Sequence, residues 1–165
     1  MKTTFNLFAN IVLIFLLVVA CNNSDTPEIV KKDILKGFVQ KGPFNIGTSV
    51  SLAELTNDFT PTGKNFTTQI TDNNGSFEFS NIELVSPYVV LQSNGFYFNE
   101  MTGENSAAQL TLYAIADISD QSTLNVNVLT HLEKPRVEYL VSQGKPFSEA
   151  KALALADVLN LPVSR

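Results

Sequence analysis

One histidine and one cysteine limit the covalent chemistry open to this chain. Any Ser-His-Asp or Cys-His scheme has to use His131, and a zinc site built on it would need carboxylates for its remaining ligands. Glu133 and Glu138 complete no such spacing, so the expectation is a helix-surface or hydrogen-bonded histidine beside Pro135. Gly37 to Gly42 imitates the opening of a phosphate loop, but Pro43 stands where that motif requires lysine. Asp72, Asn74 and Gly75 imitate part of a calcium loop, yet Ile70 occupies the first ligand position and Asn81 the place of the bidentate glutamate. A turn is the simpler reading. Glu54, Asp58, Glu78, Glu83, Glu100 and Glu104 are candidates for the paired carboxylates of glycoside hydrolysis, although on alternating strands such residues form the solvated face.

Phe96, Tyr97 and Phe98, with Asn94, Asn99 and Glu100, make the strongest surface candidate, because an exposed aromatic beside amides and carboxylates suits a sugar or a peptide. Strand alternation places Phe96 and Phe98 together toward the core and Tyr97 outward. The candidate ligand-binding set is therefore Tyr97, Asn99 and Glu100, in competition with plain core filling. No catalytic residue, metal site or cofactor is expected.

Cys21 carries a different message. It follows the apolar run Ile11 to Val19 and the small residue Ala20, with Lys2 near the start, which describes an export signal. The run is too short to span a bilayer. Val18, Val19, Ala20 and Cys21 resemble the lipobox of bacterial lipoproteins, in which the cysteine is acylated and becomes the mature N-terminus. Two or three long acyl chains hold firmly where one alone binds only marginally. Residues 1–20 are thus read as a lipoprotein signal peptide and 21–33 as a flexible tether, polar and broken by Pro27. With 11 Lys+Arg against 16 Asp+Glu and a net charge of -5, the chain is a poor partner for nucleic acid.

From Ile34 the texture changes to short segments of period-two apolar spacing, punctuated by Gly, Pro, Asn and Asp. Val50 with Leu52, Phe77 with Phe79, Leu110 with Leu112, and Leu124 with Val126 and Val128 each place one face toward a core. Seven strands are expected, near Leu35 to Gln40, Thr48 to Leu55, Phe66 to Thr71, Ser76 to Asn81, Tyr88 to Ser93, Tyr97 to Met101 and Gln109 to Asp117. Asn74-Gly75 predicts a hairpin between the third and the fourth. The fold class expected is mainly β: a seven-stranded antiparallel sandwich over 34–125, followed by a helical hairpin over 126–165.

In that hairpin, Leu129, Leu132, Arg136, Val137, Leu140 and Val141 share one stripe, Gly144 stops the first helix, and Pro135 predicts a kink or break. Ser148 is placed to cap the second helix after Pro146. Two helices with apolar sides need a cover: the hairpin folds back onto the sandwich, pairs between molecules, or begins a longer, truncated helical region.

The order KGFVQKGPF, TGKNF, DNNGSFEF, SPYVVLQSNGFYFNEMTG and NVNVLTHLEKPRVEYLV resembles surface lipoproteins of Bacteroidota-like bacteria. The β part resembles the carboxypeptidase-regulatory-like, or transthyretin-like, sandwich, with Gly37 after the first strand and Asp72, Gly75 and Phe77 in a D-x-x-G-x-F turn. The resemblance implies a non-catalytic binding or display domain, lipid-anchored at the bacterial outer membrane on its surface or periplasmic face. Its expected partners are the membrane, through the N-terminal lipid, and an envelope protein or glycan. The alternatives are an accessory subunit of a glycan-capture or adhesion assembly and a small hydrolase or a fragment of one.

Overall fold

The computed structural model describes residues 29–160. Cys21 and the whole of the expected export segment, 1–20, lie outside the described residues. The chain is mainly β with two C-terminal helices: β1 (Val30–Gln40), β2 (Ser49–Leu55), β3 (Pro61–Gln69), β4 (Ser76–Leu84), β5 (Tyr88–Gly95), β6 (Phe98–Asn99), β7 (Glu104–Asn105), β8 (Leu110–Asp117), β9 (Val126–Asn127), α1 (Val128–Ser142) and α2 (Phe147–Leu159). A four-stranded sheet has the order β3-β2-β5-β8, a three-stranded sheet the order β4-β1-β9, and β6 pairs with β7.

Alternation explains why the two larger sheets stay together. Val50 and Leu52 of β2, Val89 and Leu91 of β5 and Leu112 and Ala114 of β8 meet Leu35 and Val39 of β1 and Phe77, Phe79, Ile82 and Leu84 of β4 in one apolar core. The inward phase of β4 changes between Phe79 and Ile82, where Ser80 and Asn81 are both exposed. Asn81 absorbs the extra residue with φ 55°, a left-handed conformation that asparagine tolerates better than most side chains.

Pairing departs from the expected all-antiparallel pattern at β9, which runs parallel to β1 through Val39–Val126 and Gln40–Asn127. The approach is close: Lys36 N–H donates to the Ser122 carbonyl and Leu124 N–H to the Lys36 carbonyl. A Cβ on Gly37 would sit 2.0 Å from the Leu124 carbonyl oxygen, so only glycine admits the segment here. The expected hairpin at Asp72–Ser76 is a tight turn but not a ladder, because β3 pairs with β2 while β4 leaves to pair with β1. The carbonyl of Gly75, a residue at φ 79°, accepts the Val39 N–H and so ties the turn to the end of β1.

Six of the expected strands appear, with β1 beginning at Val30 inside the presumptive tether and β3 beginning at Pro61 rather than Phe66. The seventh, Tyr97 to Met101, shrinks to the two residues of β6.

The helices form a third layer on the outer face of the four-stranded sheet. Val137 and Leu140 of α1 and Ala150 and Ala154 of α2 pack on Leu55 and Ile115. This cover is why Ala114, Ile115 and Ala116 are buried in succession. At one end, the rings of Phe59, Tyr88 and Phe147 interlock at centroid distances of 4.8 to 5.5 Å. Asn127 and Thr130 form a reciprocal capping box for α1. At the other end Gly144, at φ 83°, donates to Val141 and Lys145 to Leu140, which closes the helix in a Schellman motif.

Of the kink or break predicted at Pro135, the break does not occur, since α1 runs unbroken from Val128 to Ser142. Burying Val137 and Leu140 contributes about 1.5–3 kcal/mol each, which offsets a proline cost of about 3 kcal/mol. Ser148 does not cap α2. The helix starts at Phe147 with Pro146 at the cap position and no side-chain cap. The two helices are held in register by Glu133 of α1, buried and paired with Lys151, and by Arg136, 2.7 Å from Asp157.

Candidate functional site

The strands run between two poles. At one, β1 begins, Leu84 pairs with Val30, and the connections 56–60, 85–87 and 143–146 gather. At the other, β1 ends and the segments 41–48, 70–75 and 96–109 meet. Their meeting is specified by backbone bonds: Asn45 N–H donates to the Phe96 carbonyl, Phe98 N–H to Pro43, Gly47 N–H to Ile70 and Ser106 N–H to Tyr97. All three residues of the presumptive ligand set belong to this second pole.

Tyr97 takes the opposite side from the one alternation predicts. It packs against the core, its ring stacked on buried Phe44 at 6.0 Å, while Phe96 and Phe98 are 41% and 42% exposed. The cause is the isolated bridge between Phe44 and Tyr97, which makes 43–45 rather than a long β6 ladder the neighbour of this segment. The Tyr97 hydroxyl still reaches solvent-side chemistry, since Lys41 Nζ lies 2.7 Å from it. Lys41 is also 4.6 Å from the ring centroid, but with the ammonium on the hydroxyl the contact is a hydrogen bond first.

Tyr97 and Asn99 line one hollow of about 470 Å³ together with Lys41, Glu104 and Gln109. Glu100 lies instead on a neighbouring hollow beside Lys41 and Asn127. Phe98 and its ladder partner Asn105 line a third hollow of about 430 Å³ with Asn45, Ile46 and Asn73, and Asn105 borders the first hollow as well. Sequence reasoning missed Lys41, Asn45, Asn73 and Asn105. Lys41, Asn45 and Asn73 sit in connections and Asn105 in the two-residue β7, where period-two spacing says nothing about neighbours.

The other candidates have structural occupations. Glu54 points into the core side of β2 and is 1% exposed, not on the solvated face. One carboxylate oxygen accepts the backbone N–H groups of Val85 and Ser86, the latter at 3.0 Å, and the other accepts the Thr62 hydroxyl at 2.7 Å. Asp58, Glu78, Glu83, Glu100 and Glu104 are exposed, as alternation and loop placement suggest. Glu83 lies 2.8 Å from Lys31, whose hydrogen bond and charge hold the Glu83 carboxyl below its ordinary range and raise the Lys31 ammonium. Asp72 accepts Ser76 N–H, Ser76 Oγ–H and Asn74 N–H, and these bonds, Ser76 first, lower its carboxyl. Its oxygens serve the turn. His131 stacks on Tyr113 at 5.7 Å, and its buried Nδ1 has no hydrogen-bond partner, so ring packing rather than a hydrogen bond orients it.

Among the described residues no group of three His, Cys, Asp or Glu is placed to hold a metal ion, and no helix is long and apolar enough to cross a membrane. No known protein family, curated protein or solved structure matches the chain.

Proposed function

We propose that this protein is a non-catalytic binding or display domain, acylated at Cys21 and held on the surface or periplasmic face of a bacterial outer membrane. The observation that carries this reading is polarity: β1 starts at one pole, and the hollows lined by Tyr97, Asn99, Phe98 and Glu100 gather at the other. Only eight residues separate Cys21 from Val30, a reach of at most about 30 Å whatever their path. The tether therefore keeps the first pole near the bilayer. The eleven residues of β1, at about 3.3 Å each, set the two poles roughly 35 Å apart. A non-catalytic role is supported by the buried carboxylates, since Glu54 is occupied by backbone donors and Glu133 by Lys151.

We read the two sheets that share one core as the seven-stranded, transthyretin-like sandwich implied by the sequence, with β9 as its parallel exception and the helical pair as an added layer. A second reading, an accessory subunit of a larger assembly, is favoured by the outward Leu153, Leu155 and Leu159 of α2.

Acylation is tested by lipid labelling of Cys21→Ala, which loses label and membrane retention; unchanged retention refutes the anchor. Polarity is tested with fluorophores on Met101→Cys and Val85→Cys in proteoliposomes carrying lipid-borne quenchers, Cys21 being blocked by its acyl chain. Val85, 53% exposed at the first pole, is quenched more than Met101, 95% exposed at the second. The reverse order overturns the reading.

A further inference from the structure

The hollow under β6 has the composition of a site for an uncharged, hydroxyl-rich ring. Phe98 offers an exposed phenyl face, and Asn45, Asn73 and Asn105 stand around it. No ionisable side chain lines it. Three other asparagine side chains are engaged by backbone donors: Asn99 accepts Met101 N–H, Asn125 accepts Phe38 N–H and Asn127 accepts Thr130 N–H. Asn45 and Asn73 come from two separate connections and Asn105 from β7, where it is the ladder partner of Phe98, and the three are brought together only by the fold.

We infer that this hollow binds a neutral saccharide. A pyranose presents an apolar C–H face, which suits the electron-rich face of an aromatic ring, and a rim of hydroxyls that each donate and accept. A carboxamide is the side chain that answers both functions at once. An anionic or cationic ligand would find no counter-charge, and a purely apolar one would strip water from three amides without replacing their bonds. The volume, about 430 Å³, is in the range of small-ligand sites. This inference rests on the binding role proposed for the second pole, but not on acylation of Cys21.

The test is titration of the full chain, in detergent, with maltohexaose, cellohexaose, xylohexaose and mannohexaose, and with an oligogalacturonate of the same length as the charged comparison. Binding is followed by calorimetry and by the side-chain NH2 resonances of the asparagines. At least one neutral glycan saturates and shifts the resonances of Asn45, Asn73 and Asn105, and the uronate binds at least about tenfold more weakly. Phe98→Leu weakens binding about tenfold while Phe98→Trp retains it, which separates ring stacking from mere apolarity. The exposed Phe98 side chain can be changed with its backbone bond to Pro43 intact, so both variants fold. Binding by none of the neutral glycans, equal binding by the uronate, or equal affinities for the Leu and Trp variants overturns the inference. Shifts confined to Asn99 and Gln109 would also overturn it, while leaving a binding role for the pole in place.

Discussion

Replacing Glu54 distinguishes a carboxylate that holds the fold from one that does chemistry. In Glu54→Ala, the Ser86 N–H is left buried without an acceptor, which costs about 1–3 kcal/mol. The Val85 N–H is only partly buried, so water replaces much of its bond and the loss is about 0.5–1.5 kcal/mol. Thr62 is exposed and rehydrates at little cost. The sum is about 1.5–4.5 kcal/mol, a large part of the roughly 5–15 kcal/mol that stabilises an ordinary domain. Glu54→Gln behaves differently. Both backbone donors share one carboxylate oxygen, which the amide carbonyl can imitate, and the amide NH2 can donate to the Thr62 hydroxyl. Only the charge assistance disappears, about 1 kcal/mol. Urea unfolding at unchanged slope measures both. An alanine variant within about 1 kcal/mol of wild type, or a glutamine variant as damaged as the alanine one, would refute the clamp.

Gly37→Ala brings a methyl against the Leu124 carbonyl, so the 122–126 segment must withdraw from β1; we expect a loss of about 1–3 kcal/mol and faster hydrogen exchange at Leu124 N–H. Asp72 has a lowered folded-state pKa, so its contribution is fully present above the unfolded value, about 3.9, and is lost as pH falls through the lower folded value. Thermal unfolding between pH 2 and 5 should therefore fall less steeply with acid in Asp72→Asn than in wild type. Lys151→Met strands the buried Glu133 carboxylate and should cost about 1–3 kcal/mol, discounted because Lys151 is 32% exposed; Glu133→Leu with Lys151→Met should recover most of it in the same unfolding assay.

Much of the fold was legible because the signals were local. Val50 with Leu52, and Phe77 with Phe79, bury as their alternation requires. Gly144 ends α1 as its freedom at positive φ suggests. What failed depended on partners distant in sequence. Nothing near Asn74-Gly75 reveals that β4 will pair with β1 rather than β3, because that choice is made by the Phe38–Ser76 and Gly37–Phe77 register. Pro135 read alone predicts a kink or break, and the packing of Val137 and Leu140 on the sheet keeps the helix continuous. Glu54 looked like an outward residue because a carboxylate on a strand usually is one, but its position two residues after Leu52 already placed it on the inward side.

The candidate site was half legible, for a reason that lies in the order of the connections. Alternation applied to Phe96, Tyr97 and Phe98 assumes a strand with ladder neighbours. Here β5 ends at Gly95, and the next residues take their direction from Pro43 and Asn45, some fifty positions earlier. The gathering of asparagines, however, follows from parity. When strands run up and down between two poles, the first, third and fifth connections fall at one end and the second and fourth at the other. With β6 and β7 counted within the fifth connection, the odd connections carry Asn45, then Asn73 and Asn74, then Asn99 and Asn105. The even ones carry Asn57 in 56–60 and none in 85–87. A chain that concentrates amides in alternate turns has therefore written a polar surface onto one pole before any contact is known.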